Sequence, residues 1–225
     1  MRALTVILSQ DALTLEGLTR SEAEGLLAGL MPQGGTREVK CARPLPEQEV
    51  PLPRAAPCPP STALLRVARL YHGSVTDGPG RRSVLAVQGC PLRCPGCYVP
   101  ETHDPRGGVA LPVTQLRDLL LAADGAPRDG ISVVGGEPFA QPEAVHALLQ
   151  LCRPRVPHIT VYSGYTLAAL RRRTEPAVRG ILGLIDLLID GPYVAALAGG
   201  AGEWRGSGNQ RLHGRRALQR VLGGS

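Results

Sequence analysis

Lysine and aromatic residues are scarce in this chain of 225 residues. Lys40 is the only lysine, which disfavours enzymes that hold pyridoxal phosphate as a lysine Schiff base. Aromatic residues make up 3% of the chain, so few side chains could stack on nucleic acid bases. We interpret the arginine run 171–173 as a solvated helix face. The net charge of +6 permits an acidic partner, whereas nucleic acid binding is disfavoured.

Long hydrophobic runs are also missing. No apolar stretch approaches the ~18 residues that a membrane-spanning helix needs. The apolar burst LTVIL near the N-terminus is too short for the core of a signal peptide. We therefore expect a cytoplasmic protein without a membrane partner. In that compartment, clustered cysteines are expected to be metal ligands or redox groups rather than structural disulfides.

Composition divides the chain into three segments. Residues 1–43 are predicted to form a small α+β appendage, with short strands in ALTVILS and ALTLEG, a helix in EAEGLLAGLM and a closing strand in TREVKCA. Residues 44–60 contain seven prolines in seventeen positions and are predicted to form a stiff extended linker. Residues 61–225 are predicted to form the main domain.

Strands and helices alternate within the main domain. Strands are predicted in LLRVARLYH, SVLAVQG, GISVVGG, HITVYSG and LLIDGPY. Helices are predicted between them, including LPVTQLRDLLLAAD with Thr114 as its cap and QPEAVHALLQLC with Pro142 in its first turn. The alternation predicts an α/β fold with a mostly parallel sheet. Functional sites of such folds lie where strands end, and GCPLRC, GGEP, SGYT and DGPY each follow a predicted strand.

Three cysteines lie within eight positions of the stretch VQGCPLRCPGCYVPET. Cys90, Cys94 and Cys97 follow the pattern C-x3-C-x2-C, and the intervening prolines and glycines indicate an irregular loop. Thiolates suit zinc or iron–sulfur clusters. In a 4Fe-4S cluster, three protein thiolates leave one iron open to a substrate or cofactor. A structural zinc site with His103 or His72 as the fourth ligand is the alternative.

The remaining cysteines do not form a second cluster pattern. Cys41 and Cys58 fall in the predicted appendage and linker, and Cys152 falls at a helix end. We expect all three to be inert thiols.

Whole motifs of the chain resemble those of a known family. The stretch VTDGPGRRSVLAVQGCPLRCPGCYVPET resembles the opening of the activating enzymes of glycyl-radical enzymes, which belong to the radical S-adenosylmethionine (SAM) superfamily. VVGGEPFAQPEAV resembles the SAM-binding segment of that family, and VYSGYTLAAL, LLIDGPYV and EWRGSGNQRL resemble its later motifs in the same order. Within the family, the motifs look most like those of the activating proteins of anaerobic ribonucleotide reductases.

The resemblance implies a fold, two cofactors and a set of site residues. The main domain would be an incomplete TIM-like βα barrel of parallel strands. Cys90, Cys94 and Cys97 would ligate a 4Fe-4S cluster, and SAM would chelate its open iron, with no catalytic residue beyond the cluster. Glycines that end a strand expose backbone groups, and a carboxylate can pair with the ammonium of SAM. The residues expected near SAM are Gly135, Gly136, Glu137, Pro138, Tyr98, Ser163 and Asp190.

The implied activity is reductive cleavage of SAM to a 5′-deoxyadenosyl radical, which would generate a glycyl radical on an anaerobic ribonucleotide reductase. The expected partners are that glycyl-radical enzyme and an electron donor such as flavodoxin or ferredoxin. Two alternatives stay open at this point. The chain could be a radical SAM enzyme that modifies a peptide or small molecule, with residues 1–43 as a recognition module. The weaker alternative is a zinc-stabilised interaction module.

Overall fold

The chain forms two compact units, Met1–Leu45 and Pro46–Ser225. The computed structural model describes residues 5–8, 13–16, 47–54 and 63–223. In the first unit, strand β1 (Thr5–Leu8) pairs with β2 (Leu13–Glu16) as an antiparallel hairpin. These strands confirm the two predicted in ALTVILS and ALTLEG. The predicted helix and closing strand of the appendage lie outside the described residues.

The described part of the second unit is built on a mixed sheet of eight strands. Their bounds are β3 Gln48–Val50, β4 Leu64–Ser74, β5 Arg82–Val87, β6 Val109–Pro112, β7 Gly130–Gly135, β8 Ile159–Ser163, β9 Leu187–Asp190 and β10 Arg211–Gly214. The order across the sheet is β10-β9-β8-β7-β5-β4-β3, and β6 pairs with β4. The pairings among β5, β7, β8 and β9 are parallel, whereas β4 and β10 run antiparallel to their neighbours. The strands predicted from the sequence are therefore confirmed.

Five helices accompany these strands in the described residues. Their bounds are α1 Val113–Leu121, α2 Pro142–Cys152, α3 Leu167–Arg171, α4 Pro176–Leu184 and α5 Arg215–Gly223. Pro142 is the first residue of α2, as predicted. The N-cap predicted at Thr114 is wrong, because α1 already begins at Val113 and Pro112 occupies the N-cap position. None of the described helices has both the length and the apolar character needed to cross a membrane.

The helices form a layer on one face of the sheet. The order of the parallel strands never reverses, so right-handed crossovers place their helices on the same side. In agreement, α1 packs on α2, α2 on α4, and α4 on α5. The core between the layers includes Leu85, Val133, Val161, Leu116, Leu148 and Ile181. An incomplete TIM-like barrel stays a prediction. The expectation of a mostly parallel sheet is wrong for the described strands, because three of their pairings are parallel and four are antiparallel.

Part of the proline-rich stretch 44–60 joins the sheet. Strand β3 pairs antiparallel with β4, with Gln48 opposite His72 and Val50 opposite Leu70. Pro51 follows directly and cannot donate a backbone hydrogen bond, which explains a short strand at the sheet edge.

Arg82 is buried on the face of the sheet opposite the helices. Leu85 belongs to the core on the helix side, and side chains alternate along a strand, so Arg82 points to the other face. Its Nε donates to Ser132 Oγ (2.6 Å), Nη1 donates to the carbonyl of Pro79 (2.8 Å), and Nη2 donates to further backbone carbonyls. Burial lowers the pKa of Arg82 to about 10. The guanidinium therefore links Pro79, in the turn that precedes β5, to Ser132 on β7.

The burial of Arg82 predicts that its removal is costly. Arg82→Ala should lower the free energy of unfolding by about 3 kcal/mol, because it leaves a cavity and several unsatisfied carbonyl groups. Arg216→Ala, which removes an exposed guanidinium on α5, should change stability by less than about 0.5 kcal/mol. Urea denaturation of both variants measures the difference, and equal stabilities would contradict a structural role for Arg82.

Candidate functional site

The three clustered cysteines lie on an irregular loop between β5 and β6, which we call the cysteine loop (residues 88–99). Cys90, Cys94 and Cys97 are unpaired and half-buried, and the Cys97 amide donates to the carbonyl of Cys94 (3.1 Å). The loop contains left-handed backbone at Gly96 (φ 72°) and Arg93 (φ 45°). These bends keep the cysteines out of any helix or strand, and therefore free to face one centre.

Hydrogen bonds to the following segment fix the ends of the cysteine loop. The Gly89 amide donates to the carbonyl of Thr102 (2.8 Å). Gln88 Nε2 donates to the carbonyls of Glu101 (2.9 Å) and Asp104 (2.8 Å). The side-chain amide of Gln88 thus replaces backbone pairing where β5 ends, so the loop has a defined path.

The segment Gly135–Pro138, which we call the GGEP segment, is bonded directly to the cysteine loop. The Gly136 amide donates to the carbonyl of Val87 and the Glu137 amide to that of Gly89, both at 2.9 Å. A Cβ atom on Gly136 would lie only 2.5 Å from the Gly89 oxygen. Glycine is therefore required here by the close approach of two backbones.

Glu137 is buried, and its carboxylate joins the loops that end β7 and β8. Oε1 accepts from the Phe139 amide (3.0 Å) and from Ser163 Oγ (2.9 Å), and Oε2 accepts from the Gly164 amide (2.8 Å). Burial raises the pKa of Glu137 to about 7, although these donors favour the charged form. The structure therefore brings Glu137 and Ser163 together and gives the carboxylate a positioning role. A contact with a SAM ammonium stays a prediction.

Two other predicted site residues have partners different from those of Glu137, although Asp190 lies beside Ser163 in the pairing of β8 with β9. Asp190 is buried, accepts a hydrogen bond from the Leu167 amide at the start of α3, and lies 3.1 Å from His213 Nε2. Tyr98 is 68% exposed, and its ring lies 4.7 Å from that of Tyr193. Asp190 therefore links β9 to the start of α3 and to His213 on β10. Tyr98 is an exposed residue near the end of the cysteine loop.

Arg173 is a site residue that the sequence analysis missed. Its Nη1 donates to the carbonyl of Phe139 (2.7 Å), it pairs with Glu175 (2.6 Å), and it lies 5.9 Å from the Tyr165 ring. The interpretation of the run 171–173 as a solvated face is therefore wrong for its last member. The alternation of strands and helices could not reveal this contact, since it joins loops distant in the chain.

The thiolates of the cysteine loop suit an iron–sulfur cluster by their chemistry. Cys90, Cys94 and Cys97 are free thiols on one loop, although no three His, Cys, Asp or Glu side chains of the described residues are grouped closely enough to hold a metal ion. Cys152, in contrast, is buried in α2, and desolvation raises its pKa to about 12. His72, the alternative zinc ligand, is buried, and its Nδ1 lies 2.8 Å from Ser83 Oγ. Cys41 and Cys58 lie outside the described residues. The thiols must lose their protons to bind metal, and burial raises the pKa of Cys90 in the metal-free chain.

The burial of Glu137 predicts a pH dependence of stability. Its pKa of about 7 in the folded chain exceeds the ordinary value of 4.5, so the folded state holds a proton that the unfolded state releases. We compare the thermal midpoints of the cluster-free wild type and Glu137→Gln. The wild-type midpoint minus the variant midpoint should decrease as the pH rises from 4.5 to 7 and should stay constant above pH 7. Both proteins share the other titrating groups, so calorimetry of the pair isolates Glu137. A difference that rises with pH would contradict this assignment.

Comparisons with known proteins agree with this arrangement. The family described as a 4Fe-4S single cluster domain matches residues 76–213. The anaerobic ribonucleoside-triphosphate reductase-activating protein of Vibrio cholerae is 35% identical over 150 residues, which cover 64% of this chain and 94% of the relative. The proteins of the same name from Escherichia coli K12 and phage T4 are 35% and 30% identical, over 64% of this chain and 94% and 90% of their own lengths. The chain therefore belongs to the family of anaerobic ribonucleoside-triphosphate reductase-activating proteins.

Proposed function

We propose that this chain is a radical SAM enzyme that generates the glycyl radical of an anaerobic ribonucleotide reductase. The observation that carries the proposal is the backbone hydrogen bond from the Glu137 amide to the carbonyl of Gly89 in the cysteine loop. Together with the bond from the Gly136 amide to Val87 at the end of β5, it joins a strand end with two glycines to the loop that carries three free thiols, in a chain of this family. A 4Fe-4S cluster and SAM would thus share one pocket.

The cysteine loop would hold the cluster through Cys90, Cys94 and Cys97, which leaves one iron for SAM. When bound, the cluster supplies the electron that cleaves SAM to methionine and a 5′-deoxyadenosyl radical. The left-handed backbone at Gly96 and Arg93 bends the segment that carries the three cysteines, so that it forms neither helix nor strand. This chain therefore contributes placement rather than acid–base chemistry.

The GGEP segment would orient the methionine end of SAM. Gly135 has left-handed backbone (φ 85°), and the missing side chain of Gly136 lets the segment lie against the backbone of Gly89. The buried carboxylate of Glu137 fixes this backbone by accepting from the loop after β8. The segment is therefore preorganised, which matters because a carbon radical reacts with whatever lies nearest.

The target would be a glycine Cα–H bond on the reductase. The 5′-deoxyadenosyl radical that SAM supplies would take that hydrogen atom, which would give 5′-deoxyadenosine and a glycyl radical. The buried Phe139 and the loops after β7 and β8 keep bulk water from this side of the pocket. An incomplete barrel, the architecture that we propose, would leave an opening for the glycine-bearing loop. The electron would come from a carrier such as flavodoxin or ferredoxin.

The cluster assignment predicts the behaviour of a single-cysteine variant. Cys94→Ser should fold normally, with a thermal midpoint near that of the wild type, but it should lose SAM cleavage because one of three thiolates is missing. Cys152→Ala should retain iron and cleavage, because the Cys152 thiol is buried in α2. Iron content and 5′-deoxyadenosine formation with dithionite measure both. Cleavage by Cys94→Ser at the wild-type rate would contradict the mechanism.

The partner assignment has its own test. Anaerobic incubation of the reconstituted protein with dithionite, SAM and an anaerobic ribonucleotide reductase should give a glycyl-radical signal in electron paramagnetic resonance. The signal should be absent when the target glycine of the reductase is replaced by alanine. Formation of 5′-deoxyadenosine without any radical on the reductase would instead favour a different substrate.

A further inference from the structure

A cavity of about 370 Å³ opens beside Cys90, next to the expected cluster. The described residues that line it include Arg66, Arg93 and His103 but no carboxylate side chain. The Nε2 atom of His103 is buried and has no hydrogen-bond partner among the described residues. The cavity therefore leads to Cys90, a predicted cluster ligand, and arginine side chains give it positive charge.

Parts of the cysteine loop contact other segments of the chain, whereas Pro91, Arg93, Pro95, Gly96 and Tyr98 are exposed. The GGEP segment bonds to its beginning, and Leu92 lies against Gly164 of the loop after β8. Near its end, Tyr98 packs on Tyr193 of the β9–β10 connection. Within the described part of the chain, the cavity gives access to Cys90 from the surface.

The arginines around this cavity are positioned to present charge. Nη1 of Arg66 donates to the carbonyls of Arg106 (3.3 Å) and Gly107 (3.0 Å). Arg93 is exposed on left-handed backbone, a conformation that is unfavourable for any residue with a Cβ atom.

Acids near the same surface do not cancel this charge. The side chain of Arg106 is 91% exposed, and its 3.6 Å pair with exposed Asp104 is of the kind that contributes little. Glu101 is also exposed on the connection that follows the cysteine loop. Asp104 interacts with both Arg106 and Arg93, so the surface has three arginines and two carboxylates, and neither acid lines the cavity.

We propose that this surface, formed by Arg66, Arg93 and Arg106, is where an acidic one-electron carrier protein docks. The inference rests on the proposed function, because a cluster that cleaves SAM must be reduced each time. Opposite charge steers a carrier to the surface and orients it there. Because Cys90 lines the cavity, a carrier seated here would be adjacent to a cluster ligand.

With a flavodoxin as the carrier, the step transfers one electron. The anionic flavin hydroquinone loses an electron and becomes the neutral semiquinone, and the oxidised 4Fe-4S cluster gains that electron. Dithionite supplies the same electron as a small reductant and needs no docking surface. Comparing SAM cleavage driven by flavodoxin with SAM cleavage driven by dithionite therefore distinguishes a defect in docking from a defect in SAM cleavage itself.

The experiment compares two double charge reversals. Arg66→Glu/Arg106→Glu alters the proposed surface, and Arg216→Glu/Arg220→Glu makes the same charge change on exposed positions of α5. Isothermal titration with an acidic flavodoxin at low ionic strength should show affinity at least about tenfold weaker for the first variant and unchanged for the second. Stopped-flow formation of the flavin semiquinone should slow in parallel, while 5′-deoxyadenosine formation with dithionite stays at the wild-type rate.

Several outcomes decide the proposal. Wild-type affinity should fall as salt is added, and that of the first variant should respond less. Arg106→Glu alone should weaken binding about threefold, which keeps the test valid if Arg66→Glu disturbs the backbone carbonyls that Arg66 binds. Equal flavodoxin affinity for the two double variants would overturn the docking site. A wild-type protein that cannot cleave SAM with dithionite would instead overturn the proposed function, and the affinities would still decide the docking site.

Discussion

A buried carboxylate that accepts three hydrogen bonds is the interaction on which the site depends. Glu137 could not stay in the interior at neutral pH without the donors from Phe139, Ser163 and Gly164. Those donors belong to two loops, and the Glu137 amide is bonded to the cysteine loop. One residue therefore connects three consecutive strand ends, and small movements of any loop would be transmitted to the others.

The strand ends explain how one sheet can serve both binding and radical chemistry. The parallel strands β5, β7 and β8 deliver the cysteine loop, the GGEP segment and the loop after β8 to the same edge. At the other end of β5, Arg82 fixes the preceding turn to the sheet. The rigid part of the molecule is thus the sheet, and the chemistry is assigned to its carboxyl edge.

Local patterns in the sequence were enough to predict the cysteine loop, the positions of the motifs and seven strands, namely β1, β2, β4, β5, β7, β8 and β9, but not β6 or β10. The patterns could not predict the direction of the Asp190 side chain. Asp190 lies on the same face of β9 as Leu188, and its carboxylate contacts the start of α3 and His213. The patterns also missed the packing of Arg173, which joins residues far apart in the chain. Strand β3 was missed because prolines flank it and only the edge of β4 stabilises it.

The central claim is that three cysteine thiolates leave one iron of a 4Fe-4S cluster free to bind SAM. Electron–nuclear double resonance of the reduced, reconstituted protein tests it with SAM labelled isotopically at the methionyl amino nitrogen. We predict a hyperfine coupling from the labelled nitrogen in the wild type. A spectrum unchanged by saturating SAM, from protein with a full complement of iron, would contradict the account.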